Sequence, residues 1–188
     1  MQRIASYRYA AGERGFTLLE LLTTLALAAL LLTITVPALN SLSARNQQTA
    51  EINRFIRHLQ LARSHAVKTG RDHVLCPSSN MMDCRGNAHW EQGYILFQDS
   101  DSDGNRSPSE SLLQVSKPMG NIGIAMQSTS GRKAVIYRAD GHSAGSNLTL
   151  TFCDPENDIA PKAVIVSNTG RARVSTTRWD GTPLNCPP

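Results

Sequence analysis

Residues 16–39 form an unbroken apolar run that carries a single charge, Glu20. Coiled as a helix at about 1.5 Å per residue, the run reaches about 36 Å, enough to cross a bilayer core of about 30 Å. A secretory signal peptide would have a shorter apolar core, roughly 7–15 residues, with no carboxylate inside it. Further on, the apolar positions narrow to a stripe. Ile52, Phe55, Ile56, Leu59, Ala62, Ala66 and Val67 recur at steps of three and four, the period of one helix face. Arg45, Arg54, Arg57 and Lys68 occupy the remaining surface, and Gly70 supplies a stop. The pattern predicts one long helix, apolar all round over 16–39 and amphipathic over 40–70. Pro37 removes one helical hydrogen bond, so a kink or local melting is expected there.

Beyond Gly70 the pattern changes to short β segments separated by turn residues. Strands are predicted at 73–76, 94–98, 111–115, 123–127, 134–138, 148–153, 163–167 and 171–175. About 118 residues lie in 71–188, so these strands need the helix to complete a core. The expected class is α+β: a long N-terminal helix, its first half transmembrane, packed on antiparallel β-sheets.

Composition narrows the function. A length of 188 residues allows one domain, or one domain plus a membrane segment, and excludes a large multidomain enzyme. Nineteen basic against fifteen acidic residues give a net charge of only +4, which by itself identifies no nucleic-acid partner. Its distribution says more. Residues 41–71 hold six basic and one acidic residue, 72–160 six and eleven, and 161–188 four and one. A basic C-terminal segment therefore adjoins an acidic middle. Arg3, Arg8 and Arg14 precede the apolar run and favour a cytoplasmic N-terminus with the rest exported.

An exported domain meets an oxidising compartment, where cysteines form disulfides. Cys76, Cys84, Cys153 and Cys186 allow three connectivities. The expected pairing is Cys76–Cys84, closing a short loop, and Cys153–Cys186, tethering the C-terminal tail to a strand end. A zinc site of His73, Cys76, Cys84 and His89 is the competing use, but its spacings form no clean zinc pattern.

Three motifs carry candidate chemistry. Gly141-His142-Ser143-Ala144-Gly145 matches the G-x-S-x-G nucleophile elbow, which needs a helix after it and a later histidine. A strand follows instead, and no histidine occurs beyond His142, so the motif reads as a Gly-rich turn and no enzyme is expected. Asp99, Asp101, Asp103 and Glu110 match the calcium-loop pattern D-x-D-x-D-G-x5-E, with Gly104 at the bend. The flanks are strands rather than helices, and an acidic turn between strands is usually only solvated. No other cofactor is expected. The third motif is Gly170-Arg171-Ala172-Arg173, following the turn residues Asn168 and Thr169. On a returning strand Arg171 and Arg173 would share one face, about 6.6 Å apart, while Ala172 and Val174 face the core. Two adjacent guanidiniums suit the phosphates of double-stranded DNA, a contact that does not read sequence. Lys162 and Arg178 lie near in sequence, and Trp179 offers a stacking surface. Outward arginines on an edge strand also serve to solvate it, or to meet a neighbouring subunit.

Gly15-Phe16-Thr17-Leu18-Leu19-Glu20 resembles the processing site of type IV pilins and their secretion-system relatives, the pseudopilins. The resemblance implies a leader over 1–15, cleavage after Gly15 by a prepilin peptidase, and methylation of Phe16. It also implies that Glu20 neutralises the terminal amine of a neighbouring subunit during filament assembly. The long helix followed by many strands resembles the GspH/FimT branch of minor pilins, with 71–188 as its β-rich domain. The G-R-x-R element resembles the DNA-binding motif of FimT-type members that serve natural transformation, with Lys162, Gly170, Arg171, Arg173 and Arg178 as its residues here. The expected location is the bacterial inner membrane, crossed once with the domain periplasmic, and later the pilus. Expected partners are other pilin subunits, the peptidase, the membrane and the DNA backbone. The alternative is a type II secretion pseudopilin without DNA binding.

Overall fold

The computed structural model describes residues 15–117, 123–129 and 131–186. Apart from Gly15, the leader expected at 1–15, with Arg3, Arg8 and Arg14, lies outside the described residues. Helix α1 (Leu18–Thr69) opens at Thr17, whose Oγ1 accepts the amide of Glu20 at 3.2 Å. Thr and Glu three residues apart are a helix-start signature, and Glu20 in the first turn also suits the positive end of the helix dipole. The helix is continuous through position 37, so the local melting expected there does not occur. One missing hydrogen bond within 52 residues does not end a helix whose neighbouring turns are intact. It stops at Gly70, which takes φ 64° and returns its amide to Ala66.

The chain divides into two units, residues 1–40 and 41–188. In the first, the apolar side chains of the helix, among them Leu18, Leu19, Leu30 and Ile34, are exposed. This part is long and apolar enough to cross a membrane. The hydroxyls of Thr23, Thr24, Thr33 and Thr35 fold back onto carbonyls of the preceding turn. Such internal satisfaction is what a hydrocarbon environment demands of polar groups.

In the second unit Ile52, Phe55, Leu59, Ala62 and Ala66 bury one stripe of the helix. Two antiparallel four-stranded sheets form with it. The first has the order β3 (Leu112–Ser116), β2 (Tyr94–Asp99), β1 (Asp72–Pro77), β5 (Val135–Tyr137). The second has β4 (Ala125–Ser128), β6 (Leu148–Cys153), β7 (Lys162–Val166), β8 (Ala172–Ser175). All eight strands fall at or within two residues of the positions expected from the segments between turn residues.

One core joins the helix stripe to Leu75, Leu96, Met126, Leu150, Phe152 and Val164, with Phe55 at its centre. The Phe55 ring stands edge-on to Trp90 at 5.4 Å and to Tyr94 at 5.5 Å. Gln48 pins the start of the stripe, donating through Nε2 to the carbonyls of Phe152 and Ala160. On the far side of the first sheet Val74, Cys76, Ile95 and Phe97 make a smaller core, with Cys84 packed against it. Strands β1 and β2 are therefore buried on both faces, which explains their nearly continuous apolar sequence.

The disulfides are Cys76–Cys84 and Cys153–Cys186, the pairing expected. Both cysteines of the competing zinc set are thus consumed, and no thiolate remains there to bind metal.

Candidate nucleic-acid interface

The hairpin between β7 and β8 is built by its turn residues. The amide of Gly170 bonds the carbonyl of Ser167, and the amide of Ser167 bonds the carbonyl of Arg171. Gly170 sits at φ 75°, a conformation glycine takes without steric cost. Register then follows: Ile165 faces Arg173, and Val166 faces Ala172. The second sheet has two faces. Leu148, Leu150, Phe152, Val164 and Val166 look to the core, whereas Thr149, Thr151, Ile165 and Arg173 look outward.

The C-terminal tail crosses this outer face and is fixed to it by the bond between Cys153 and Cys186. Within the tail Thr177 and Pro183 pair, and the amides of Arg178 and Gly181 bond Thr182 and Arg178 carbonyls. The result is a small finger with Arg178 and Trp179 at its tip, the indole 74% exposed. Asp180 shares the finger, its carboxyl held below the ordinary value chiefly by hydrogen bonds from Thr182.

Between the finger and the sheet runs a groove of about 470 Å³ lined by Arg132, Thr149, Ile165, Arg173 and Trp179. A second groove of about 370 Å³ shares Thr129 and Thr149 with it and adds Arg178. Arg171 and Arg173 are exposed. Among the described residues none of Arg132, Arg171, Arg173 and Arg178 makes an ion pair. Arg178 shares the finger with Asp180 and helps to hold its carboxyl down, whereas exposed guanidiniums such as Arg171 and Arg173, near an exposed indole, suit phosphates and bases.

The structure brings some of the expected residues together and separates others. Arg173 and Arg178 join the outer face. Arg171 precedes β8 and borders a different cleft, with Gln60, Arg63 and Tyr137. Lys162 does not belong to the patch: it pairs with Phe152 and shares the core-side parity of Val164, opposite to Arg173. Val174 was expected in the core but is 48% exposed, because β8 is an edge strand and the helix stripe does not cover its end. Arg132 enters from the loop before β5 and gives no sign of this role in the sequence, since only tertiary folding carries it to β8.

The remaining motifs settle into structure. Ser143 is fully buried and its Oγ meets Ser146 Oγ at 2.9 Å, while His142 pairs with Asp140 on the surface. No nucleophile is presented. Gly141 serves packing instead: a Cβ there would lie 3.0 Å from Val67, and one on Gly170 of the neighbouring turn only 2.3 Å from the Gly141 carbonyl oxygen. The Ser143 amide bonds the Asn168 carbonyl, so the G-x-S-x-G and G-R-x-R turns are docked on one another. In the acidic turn, Asp99, Asp101 and Asp103 converge and Glu110 does not join them. Its two oxygens instead accept the amides of Ser100 and Ser107, which corrects its expected place as a cation ligand.

A family described as type II transport protein GspH matches residues 51–170, and the prokaryotic N-terminal methylation motif matches residues 11–36. The fold is similar to that of the type IV minor pilin FimU of Pseudomonas aeruginosa, at 18% identity and a TM-score of 0.54. That match covers 70% of this chain and 90% of FimU. The minor pseudopilin EpsH of the Vibrio cholerae type 2 secretion system is also similar, at 13% identity and a TM-score of 0.48, covering 68% of this chain and 94% of EpsH. No match was found among curated protein sequences.

Proposed function

The chain belongs to the GspH family, and from that premise we propose that it is a minor pilin that joins a type IV pilus and holds extracellular DNA on the outer face of its second sheet, for uptake in natural transformation. A minor pilin or pseudopilin role follows from the family and the methylation motif. In this reading the prepilin peptidase cuts after Gly15 and methylates Phe16, and Glu20 pairs with the amine of a neighbouring subunit. The first unit anchors the chain in the inner membrane, the domain is periplasmic, and assembly carries it to the cell surface.

The observation that carries the DNA reading is the set of exposed arginines, Arg171, Arg173 and Arg178, none of them in a close ion pair among the described residues, near an exposed Trp179. Arg173 and Arg178 hold phosphates on the outer face, and Arg171 extends the contact around the β8 edge. Gly170 shapes the turn rather than touching the ligand. Such contacts are non-sequence-specific and supply affinity through counterion release.

The test uses the full chain in detergent micelles with fluorescent duplex DNA. Replacing both Arg171 and Arg173 by Ala should weaken binding and reduce the magnitude of the slope of log K against log salt by about 1.8. Lys162→Ala, on the opposite face, should bind as the parent does. Unchanged binding in the double variant would remove the site. The second reading, a type II secretion pseudopilin, is supported by the description of the matching family. It expects no duplex binding by the parent protein at low salt.

A further inference from the structure

The turn from β2 to β3 gathers three carboxylates. One oxygen each of Asp99, Asp101 and Asp103 lies within 4.8 Å of the other two. Acidic turns are common on surfaces, and proximity alone would mean little. The distinguishing feature is Asp99, which is only 1% exposed. Its Oδ2 accepts the amide of Gly104 at 2.9 Å. Its Oδ1 is buried and has no hydrogen-bond partner. A buried carboxylate oxygen without a donor is costly and calls for a positive partner.

Neither flanking candidate supplies one. Arg106 gives Nη1 to the Met82 carbonyl and Nη2 to the Glu110 carbonyl. Glu110 adds negative charge rather than relieving it, and both its oxygens are committed to backbone amides.

We propose that this turn binds calcium, with the carboxylates of Asp99, Asp101 and Asp103 as its protein ligands. The donor set is all oxygen and anionic, which selects a hard cation over zinc or copper. Calcium accepts six to eight oxygens in flexible geometry, so three carboxylates on a turn can be completed by water and backbone carbonyls. Magnesium demands near-octahedral order and releases its water reluctantly, so it binds here more weakly. The cation satisfies Asp99 Oδ1 and clamps the turn into edge strand β3. This site is independent of the DNA reading and of the filament that the chain joins.

The full chain in detergent, stripped with EDTA, tests this by thermal melting and isothermal calorimetry with calcium chloride. At about a hundredfold excess over the dissociation constant, the melting temperature should rise by about 5–10 °C. Magnesium should give a smaller rise. Replacing both exposed residues, Asp101→Asn with Asp103→Asn, should abolish the response and leave the calcium-free melting temperature equal or higher, since repulsion is relieved. A proton held between Asp99 and Asp101 is the competing way to satisfy Oδ1, and Asp99→Asn separates the two. That variant should fold without calcium and lose the calcium response. The proposal is overturned by no shift and no heat up to about 10 mM calcium, or by an equal shift in the double variant or in Asp99→Asn.

Discussion

At Gly170 the backbone takes φ 75°, and any side chain there would meet the carbonyl of Gly141. Strain at such a φ costs of order 1–3 kcal/mol before the clash is added. Gly170→Ala should therefore lower the urea midpoint, whereas Arg171→Ala, whose side chain is exposed, should leave it unchanged. The sequence announces Gly170 as a turn residue, but nothing in it reveals that the turn abuts Gly141, twenty-nine positions earlier. The same holds for His73. Its Nδ1 donates to the Arg71 carbonyl at 3.0 Å, and Nε2 is buried without a partner beside the His65 ring. Burial, partly opposed by the Arg71 hydrogen bond and by Asp72, sets the His73 pKa below the ordinary 6.5. His58 shifts the same way, through burial and then Arg54 and Arg57. The folded state then binds fewer protons than the unfolded chain. Stability is fully present above about pH 6.5 and is lost as pH falls through the lowered folded values. Melting temperatures should decline below pH 6.5, less steeply in His73→Phe.

The elements themselves were largely legible. A stripe of period about 3.6 and eight short β segments bounded by turn residues are local signals, and each becomes an element close to its expected bounds. Legibility fails where an element's neighbours decide. Strand β8 alternates as a strand should, yet Val174 is exposed, because the sequence does not say that this edge lies beyond the helix stripe. The finger at 177–183 is another case: its turn residues Asp180 and Gly181 are visible, but its place over the outer face is set by Cys186 bonding Cys153. This pair closes a separation of 33 residues, against 8 for Cys76–Cys84. In the chain-entropy account the longer loop contributes about 3–4 kcal/mol and the shorter about 2–3. Replacing Cys153 and Cys186 by Ser should thus lower the unfolding free energy more than replacing Cys76 and Cys84. The urea midpoints measure the difference. The first replacement should also weaken DNA binding, since it frees the finger that presents Arg178 and Trp179.

For the whole molecule, a net charge of +4 conceals an acidic middle between two basic segments, and an anchor that carries one charge, a carboxylate, in 24 residues. That carboxylate, Glu20, caps the first helical turn in position but finds no cationic partner among the described residues. A charge in hydrocarbon is expensive unless paired, and pairing is worth most where water is absent. The ammonium of a processed Phe16 on an adjacent subunit is the partner that filament assembly would bring. Two variants separate the steps. Gly15→Ala should leave the leader attached, so the chain remains the full 20.5 kDa in membranes instead of losing its first 15 residues. Glu20→Val should be processed and inserted normally, since it makes the segment more apolar, yet fail to enter sheared filaments. Recovery of Glu20→Val in filaments at the parental level would show that assembly does not use this carboxylate. A cleaved Gly15→Ala chain would place the processing site elsewhere.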